Sequence, residues 1–238
     1  MKKKIIIVLI SIISFFVLIF IAVPILIDNS PVDKSNNKFE FSELANKKST
    51  LEKMEVEAFL NTDNLYENYT HNYTIKIPQD YTHNNGIGKY SSAQFYNENL
   101  GFVVAVNVGK TNFGKSIEKE LSNQIIKNLT TELKNDNSLG KIFEDALIER
   151  GFYKPKLINY KVTNYNNRLF LKLNFEAYRI YDNEEQPVLI SDYMTFHKDF
   201  AYHFQFVSYQ KESTEKWNTE IQKSMSNVMI SEYITKKN

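Results

Sequence analysis

From Ile5 to Ile27 the chain runs for 23 residues without a charge, with only Ser11, Ser14 and Pro24 breaking the aliphatic and Phe side chains. At about 1.5 Å per residue, a helix of that length covers the roughly 30 Å hydrocarbon core of a bilayer with room for tilt. Lys2, Lys3 and Lys4 precede the run and Asp28 follows it. The positive-inside bias therefore sets residues 1–4 in the cytoplasm and everything after Asp28 on the far side. A cleaved secretory signal would carry a shorter apolar middle and a small-x-small site. The nearest candidate, Ala22-Val23-Pro24, ends in proline. The chain has no cysteine, which removes lipoprotein anchoring, disulfides, thiolate metal sites and thiol catalysis together. The expectation is an uncleaved signal-anchor: a single-pass cell-membrane protein that meets the lipid bilayer through residues 5–27 and carries its C-terminal domain outside the cytoplasm.

The 238 residues leave enough chain beyond the membrane for one domain with its own core. A formal net charge of +1 gives no support to nucleic acid as a partner. The abundance of Ile, Lys, Asn and Tyr fits the codon usage of an AT-rich, bacterial genome. Residues 28–41 are mostly polar, contain Pro31 and lack apolar periodicity, so they read as a flexible stalk. Residues 42–65 place Leu44, Leu51, Met54, Ala58 and Leu60 at roughly helical spacing and read as linker helices. The extracytoplasmic domain is expected over 66–238.

Within that domain, Tyr73 to Ile77 alternates and stops at Pro78, as a strand with a defined end would. Ser91 to Tyr96 and Gly101 to Val108 read as a hairpin whose second arm, apolar at successive positions, lies centrally with both faces covered. The period then becomes helical from Ser116 to Lys134. Ile117, Leu121, Ile125, Leu129 and Leu133 step by four, and Ser116 is the expected N-cap. Lys141 to Arg150 reads as a shorter helix ending at Gly151. Strands are expected over 160–165, 168–181, 188–196 and 200–209, with turns at Asn166-Asn167 and Lys198-Asp199. A last helix, from about Ser213 to Met229, carries Trp217, Ile221, Met225 and Val228 on one stripe. Short turns between strands imply antiparallel pairing, and helices arriving between hairpins must pack on the sheet faces. The fold class expected is α+β, a mainly antiparallel sheet flanked by helices in an α/β/α sandwich.

Three features resemble the sandwich family typified by the extrinsic photosystem protein PsbP and the Ran-binding Mog proteins. They are the strand Tyr73-x-Ile75-x-Ile77-Pro78 with Tyr81 beyond it, and the hairpin Asn166-Asn167-Arg168-Leu169 leading into a long strand. The third is Tyr193-x-x-Phe196 to Phe200-x-Tyr202-x-Phe204-x-Phe206 followed by the terminal helix and Ser226 to Ile230. The likeness covers about residues 66–232 and is one of element order. It implies a non-enzymatic binding or scaffolding protein and supplies no family active site to transfer.

One motif points elsewhere. Gly109-Lys110-Thr111-Asn112-Phe113-Gly114-Lys115-Ser116 fits G-x-x-x-x-G-K-[ST] between an expected strand and an expected helix. In a nucleotide site the Gly109 to Lys115 amides would cradle the phosphates, Lys115 would reach the β and γ oxygens, and Ser116 would hold Mg²⁺. The flanking hairpins argue against it, since phosphate loops belong to parallel sheets. Val188-Leu189-Ile190-Ser191-Asp192, the best source of a Mg²⁺-side carboxylate, is interrupted by its serine.

His71, His83, His197 and His203 lie in different elements. A hairpin centred on Lys198-Asp199 pairs 197 with 200 and 194 with 203, which puts the rings of His197 and His203 on opposite faces. A metal site is therefore not expected. Ser191 and Asp192 near His197 suggest a hydrolytic triad only as sequence neighbours, and there is no G-x-S-x-G elbow. Tyr160, Tyr165, Tyr178, Tyr181, Tyr193, Tyr202 and Tyr209 could build a recognition face, or be ordinary half-buried strand residues.

The reading these residues favour is a membrane-anchored, non-enzymatic binding or scaffold domain with no cofactor and a protein partner in the envelope. The alternatives are a nucleotide-binding domain using Gly109, Gly114, Lys115 and Ser116, and a subunit of a larger envelope complex assembled through the span.

Overall fold

A computed structural model describes residues 57–85, 91–97, 100–111, 116–136, 138–181, 184–209, 214–232 and 234. Strands β1 (Ala58–Leu60), β2 (Leu65–Asn68), β3 (Tyr73–Lys76), β4 (Thr82–Asn85), β5 (Ser91–Asn97) and β6 (Phe102–Lys110) come first. Helices α1 (Lys119–Asn135) and α2 (Ser138–Glu149) follow. Then come β7 (Tyr153–Tyr165), β8 (Arg168–Tyr181), β9 (Glu184–His197), β10 (Phe200–Ser208), α3 (Thr214–Met225) and β11 (Met229–Ile230).

The alternation in the C-terminal half becomes the spine of the molecule, a seven-stranded sheet of order β4-β5-β6-β10-β9-β8-β7. Every pairing in it is antiparallel. The β7–β8 turn holds Asn166 at φ 49° and Asn167 at φ 61°, the left-handed pair whose twist matches the strands of a two-residue hairpin and which asparagine tolerates. β6 lies third from the β4 edge, between β5 and β10, and is buried at successive positions, as its unbroken apolar run requires.

The two faces of this sheet are covered differently. On one, α1 contributes Ile125, Ile126, Leu129 and Leu133, and α2 contributes Leu139, Phe143 and Leu147. They meet Leu171, Leu173, Phe175, Ile190 and Met194. On the other lies a second sheet of order β1-β2-β3-β11 together with α3. Tyr66, Tyr73 and Ile75 from that sheet and Trp217, Ile221 and Met225 from α3 enclose Phe95, Phe102, Phe170, Tyr193, Tyr202, Phe204 and Phe206. The fold is α+β as expected, with a small sheet and one helix in place of a purely helical second layer.

Four local expectations are corrected. Ala58 to Leu60 is a strand paired with β2, so the helical reading of 42–65 fails there; 42–56 lies outside the described residues. Ile117 is extended, bridging Lys198 through Ile117 N–H to Lys198 O at 3.0 Å and Lys198 N–H to Ile117 O at 2.8 Å. α1 therefore begins at Lys119 after Glu118, which makes no side-chain cap bond, so Ser116 is not the N-cap. Its buried stripe is Ser122, Ile125, Ile126, Leu129 and Leu133, and Leu121 is 39% exposed. A strict step of four drifts about 40° round the helix each time, so the expected set could not keep one face. Finally, β7 starts at Tyr153, seven residues earlier than the alternation indicated, because bulges near Lys156 and Asn159 break the period.

The apolar run from Ile5 to Ile27 and the stalk lie outside the described residues. Among the described residues, no helix is long and apolar enough to cross a membrane.

Candidate functional site: a polar groove between the small sheet and the last helix

The β2–β3 corner is pinned by short polar side chains. Asn61 Oδ1 accepts from Asp63 N–H at 2.9 Å and Leu65 N–H at 3.0 Å, the local bonding that makes asparagine a turn former. Asn64 adopts φ 58° and its carbonyl accepts from Ile77 N–H at 2.8 Å. Pro78 then ends β3, and Asp80 turns the chain at φ 66°. Buried Asn97 locks this loop to the large sheet: its Nδ2 donates to Asp80 O at 3.1 Å and its Oδ1 accepts from Leu100 N–H at 3.0 Å.

These loops and the outer side of α3 form the walls of a groove of ≈ 1120 Å³. One wall carries Asp63, Lys76, Asp80 and Tyr81; the other carries Lys216, Glu220 and Lys223, and continues to Ser226 and Asn227. The lining thus holds three lysines and three carboxylates, both signs on each wall, and Lys223 Nζ lies 3.4 Å from Glu220 Oε1. Burial, reinforced by the Glu220 carboxylate, holds the Tyr81 phenol above its ordinary range, so Tyr81 presents a neutral hydroxyl. The volume lies just above the range usual for small-molecule pockets, about 300–1,000 Å³. Its lining offers donors, acceptors and both signs of charge, which suits an extended polar segment better than an apolar ligand.

The phosphate-loop match is divided by the structure. Gly109 lies within the β6–β10 ladder opposite Ala201, and Lys110 opposite Phe200. Thr111 N–H donates to Asp199 O, so the segment remains tied to the β9–β10 turn. Gly114 and Lys115 lie outside the described residues. Ser116 is exposed and its hydroxyl donates to Glu118 Oε1 at 3.2 Å.

The triad of sequence neighbours separates. Ser191 donates to Asn174 Oδ1 at 2.7 Å on one face, while Asp192 points to the other and meets His203 Nδ1 at 3.1 Å. His197 pairs with Phe200 on the face opposite His203, as the register requires. Asp192 and His203 are both buried, and Arg150 is buried near them. Desolvation lowers the Arg150 guanidinium to about 10, with the Asp192 carboxylate opposing that drop. The cluster is a buried polar set at the end of α2. Asp192 takes its partner from His203 and not from its sequence neighbour His197, because the hairpin register puts 203 on the face of 192. Among the described residues, no group of three His, Asp or Glu side chains could hold a metal.

The tyrosines also separate. Tyr193 and Tyr202 are buried in the second core, Tyr165 joins its edge, and Tyr160 and Tyr209 pack on the first. They form no single recognition face. The groove went unread because its walls come from residues far apart in the chain.

No protein-family model matches the chain, and no curated protein matches it in sequence. Among solved structures, it is similar to the cyanobacterial PsbP protein (CyanoP) of Synechocystis at 11% identity and TM-score 0.44, covering 77% of this chain and 96% of that one. A structure from Bacteroides thetaiotaomicron aligns at 11% identity and TM-score 0.41 over 75% of this chain and 50% of that one. LpqN of Mycobacterium tuberculosis, involved in cell envelope biogenesis, aligns at 11% and 0.37 over 74% and 91%. The PsbP resemblance read from element order thus meets a PsbP structure, while the Mog resemblance meets none among these three. At this level the likeness concerns general architecture and carries no argument about function.

Proposed function

We propose that this chain is a single-pass, membrane-anchored protein whose domain lies outside the cytoplasm and acts by binding, not by catalysis. The groove between the small sheet and α3 is its binding site, and a polar segment of an envelope protein is its partner. One observation carries the reading: a groove of ≈ 1120 Å³ whose walls are fixed by turn and asparagine hydrogen bonds and carry charges of both signs. The membrane anchor rests on the uncharged run from Ile5 to Ile27 and its lysine flank.

The test uses the full chain in intact cells of its source, with a photo-crosslinking residue placed at Lys216 or, as a control on the opposite side of the large sheet, at Lys141. A protein adduct of one defined mass at Lys216 and none at Lys141 is the expected result. Equal adducts at both positions, or none at either, would overturn the groove as the site. An impermeant protease added to the same cells tests the topology separately: digestion of the domain is expected, and protection until lysis would reverse the orientation.

A further inference from the structure

The face of the large sheet away from α1 and α2 changes character toward its β7 edge, where Asn159, Lys161 and Glu176 are exposed. Lys161 and Lys172 are direct cross-strand partners there, so their Cβ atoms are about 5 Å apart. Like charges placed opposite one another destabilise a sheet. Lys172 is also 9% exposed, with its ammonium 5.1 Å from the centre of the Tyr193 ring, its partner on β9. Burial first, and Lys161 second, draw the Lys172 amine down to about 8.

A nearly buried ammonium normally has a carboxylate beside it, because desolvating an unpaired charge is costly. Among the described residues, none lies within ion-pair distance of Lys161 or Lys172. The next acid along β8, Glu176, stands opposite Lys156. The neighbouring row supplies another donor: Ser191 donates to Asn174 Oδ1 and Asn174 Nδ2 to Asn159 Oδ1, which leaves the Asn159 amino group at the end of the chain of bonds. Asn159 and Lys161 share a face, since they are two residues apart and pair with Asn174 and Lys172.

We propose that Lys161 and Lys172 bind an oxyanion, a carboxylate or a phosphate group, with the Asn159 amide as the adjoining donor. An oxygen pair bridging the two ammoniums replaces their repulsion by two charge-assisted hydrogen bonds. The Tyr193 ring supports the Lys172 head from beneath by cation–π attraction. The site shares no residue with the groove and does not depend on it.

The full chain in nonionic detergent, labelled with trace acetic anhydride at pH 8 and read lysine by lysine by mass spectrometry, tests this. Inorganic phosphate and succinate are the probes, with sodium chloride at matched ionic strength as the reference. Several-fold protection of Lys172 and Lys161 by either probe, with Lys141 unchanged, is expected; the probe that protects identifies phosphate or carboxylate as the better ligand. Protection by neither, or equal protection of all three lysines, would overturn the proposal. In Lys161→Gln, an exposed position whose change leaves the core intact, the half-protecting concentration for Lys172 should rise about tenfold, as expected from losing one charge-assisted bond. An unchanged value in that variant would likewise overturn it.

Discussion

The two faces of the seven-stranded sheet solve the same burial problem with different side chains. Beneath α1 and α2 the core is mainly aliphatic: Ile125, Leu129, Leu133, Leu171, Leu173, Ile190 and Met194. Beneath the small sheet and α3 it is mainly aromatic, with Tyr73 edge-on to Phe204 at 5.8 Å, Tyr193 edge-on to Phe206 at 5.8 Å and Phe102 against Trp217 at 4.8 Å. Helices present rounded ridges that interdigitate with aliphatic branches on a sheet. Two sheets face to face leave a gap of about 10 Å, and large rings in edge-to-face contact fill it. The aromatic side therefore depends on fewer, larger contacts.

Phe204→Ala should test that difference most severely. Phe204 is fully buried and touches Tyr73 and Phe170 edge-on, so its loss should cost about 4–5 kcal/mol, the cavity cost plus the ring contacts. Leu173→Ala on the aliphatic face should cost about 3 kcal/mol. Urea unfolding of both variants checks the pair, and an equal or reversed order would break the contrast. Asp192→Ala removes the carboxylate that meets His203 Nδ1 and attracts Arg150 on the aliphatic side. A loss of about 3 kcal/mol is expected by the same measurement. A loss below about 1 kcal/mol would show that water already solvates the cluster.

Acid should act on the aromatic side through His71. Burial lowers its imidazole from 6.5 to about 4, so the folded state favours the neutral ring and the unfolded state takes the proton first. The stability this provides is present in full above pH 6.5 and is lost as pH falls from there to about 4. Because His71 is 3% exposed, the loss should reach about 2–3 kcal/mol. His197 is lowered in the same direction, first by burial and then by Arg168 and Lys198. In His71→Gln the slope of stability against pH over that interval should be clearly shallower; an unchanged slope would remove His71 from the account.

The smallest effect separates two adjacent asparagines. Asn166 Nδ2 donates to Val228 O at 2.7 Å and to Ser226 O at 3.3 Å, tying the β7–β8 turn to the segment after α3. Asn166→Gly should cost about 1 kcal/mol, whereas Asn167→Gly, at φ 61°, should fall within about 0.5 kcal/mol of neutral. Thermal unfolding of the two variants decides whether the turn or the tie matters.

Strands whose pattern keeps period two were readable in advance. β10 is the clearest, since Tyr202, Phe204 and Phe206 alternate and its turn fixes the register with β9. β1 was not readable, because three residues with an exposed Phe59 take their strand geometry from pairing with β2 and carry no local signal of it. Ile117 misled the reading of α1 because its burial comes from a bridge to Lys198, which no helical spacing could reveal. The groove was invisible for a similar reason. Asp63, Tyr81 and Lys216 meet only once the small sheet has docked on the large one. The phosphate-loop match shows the converse, a local pattern whose first glycine tertiary pairing commits to an antiparallel ladder.

The two-residue strand β11 pairs with β3, Met229 opposite Thr74 and Ile230 opposite Tyr73. Nearly the whole domain lies between these partners along the chain, so the small sheet gains this strand only after Met229 and Ile230 have been made. A chain stopped just short of Met229 would expose the backbone of β3 along an open edge, next to a groove whose α3 wall had only just been made. The pairing of Met229 and Ile230 with β3 therefore closes that edge of the small sheet after every other strand of both sheets has been made.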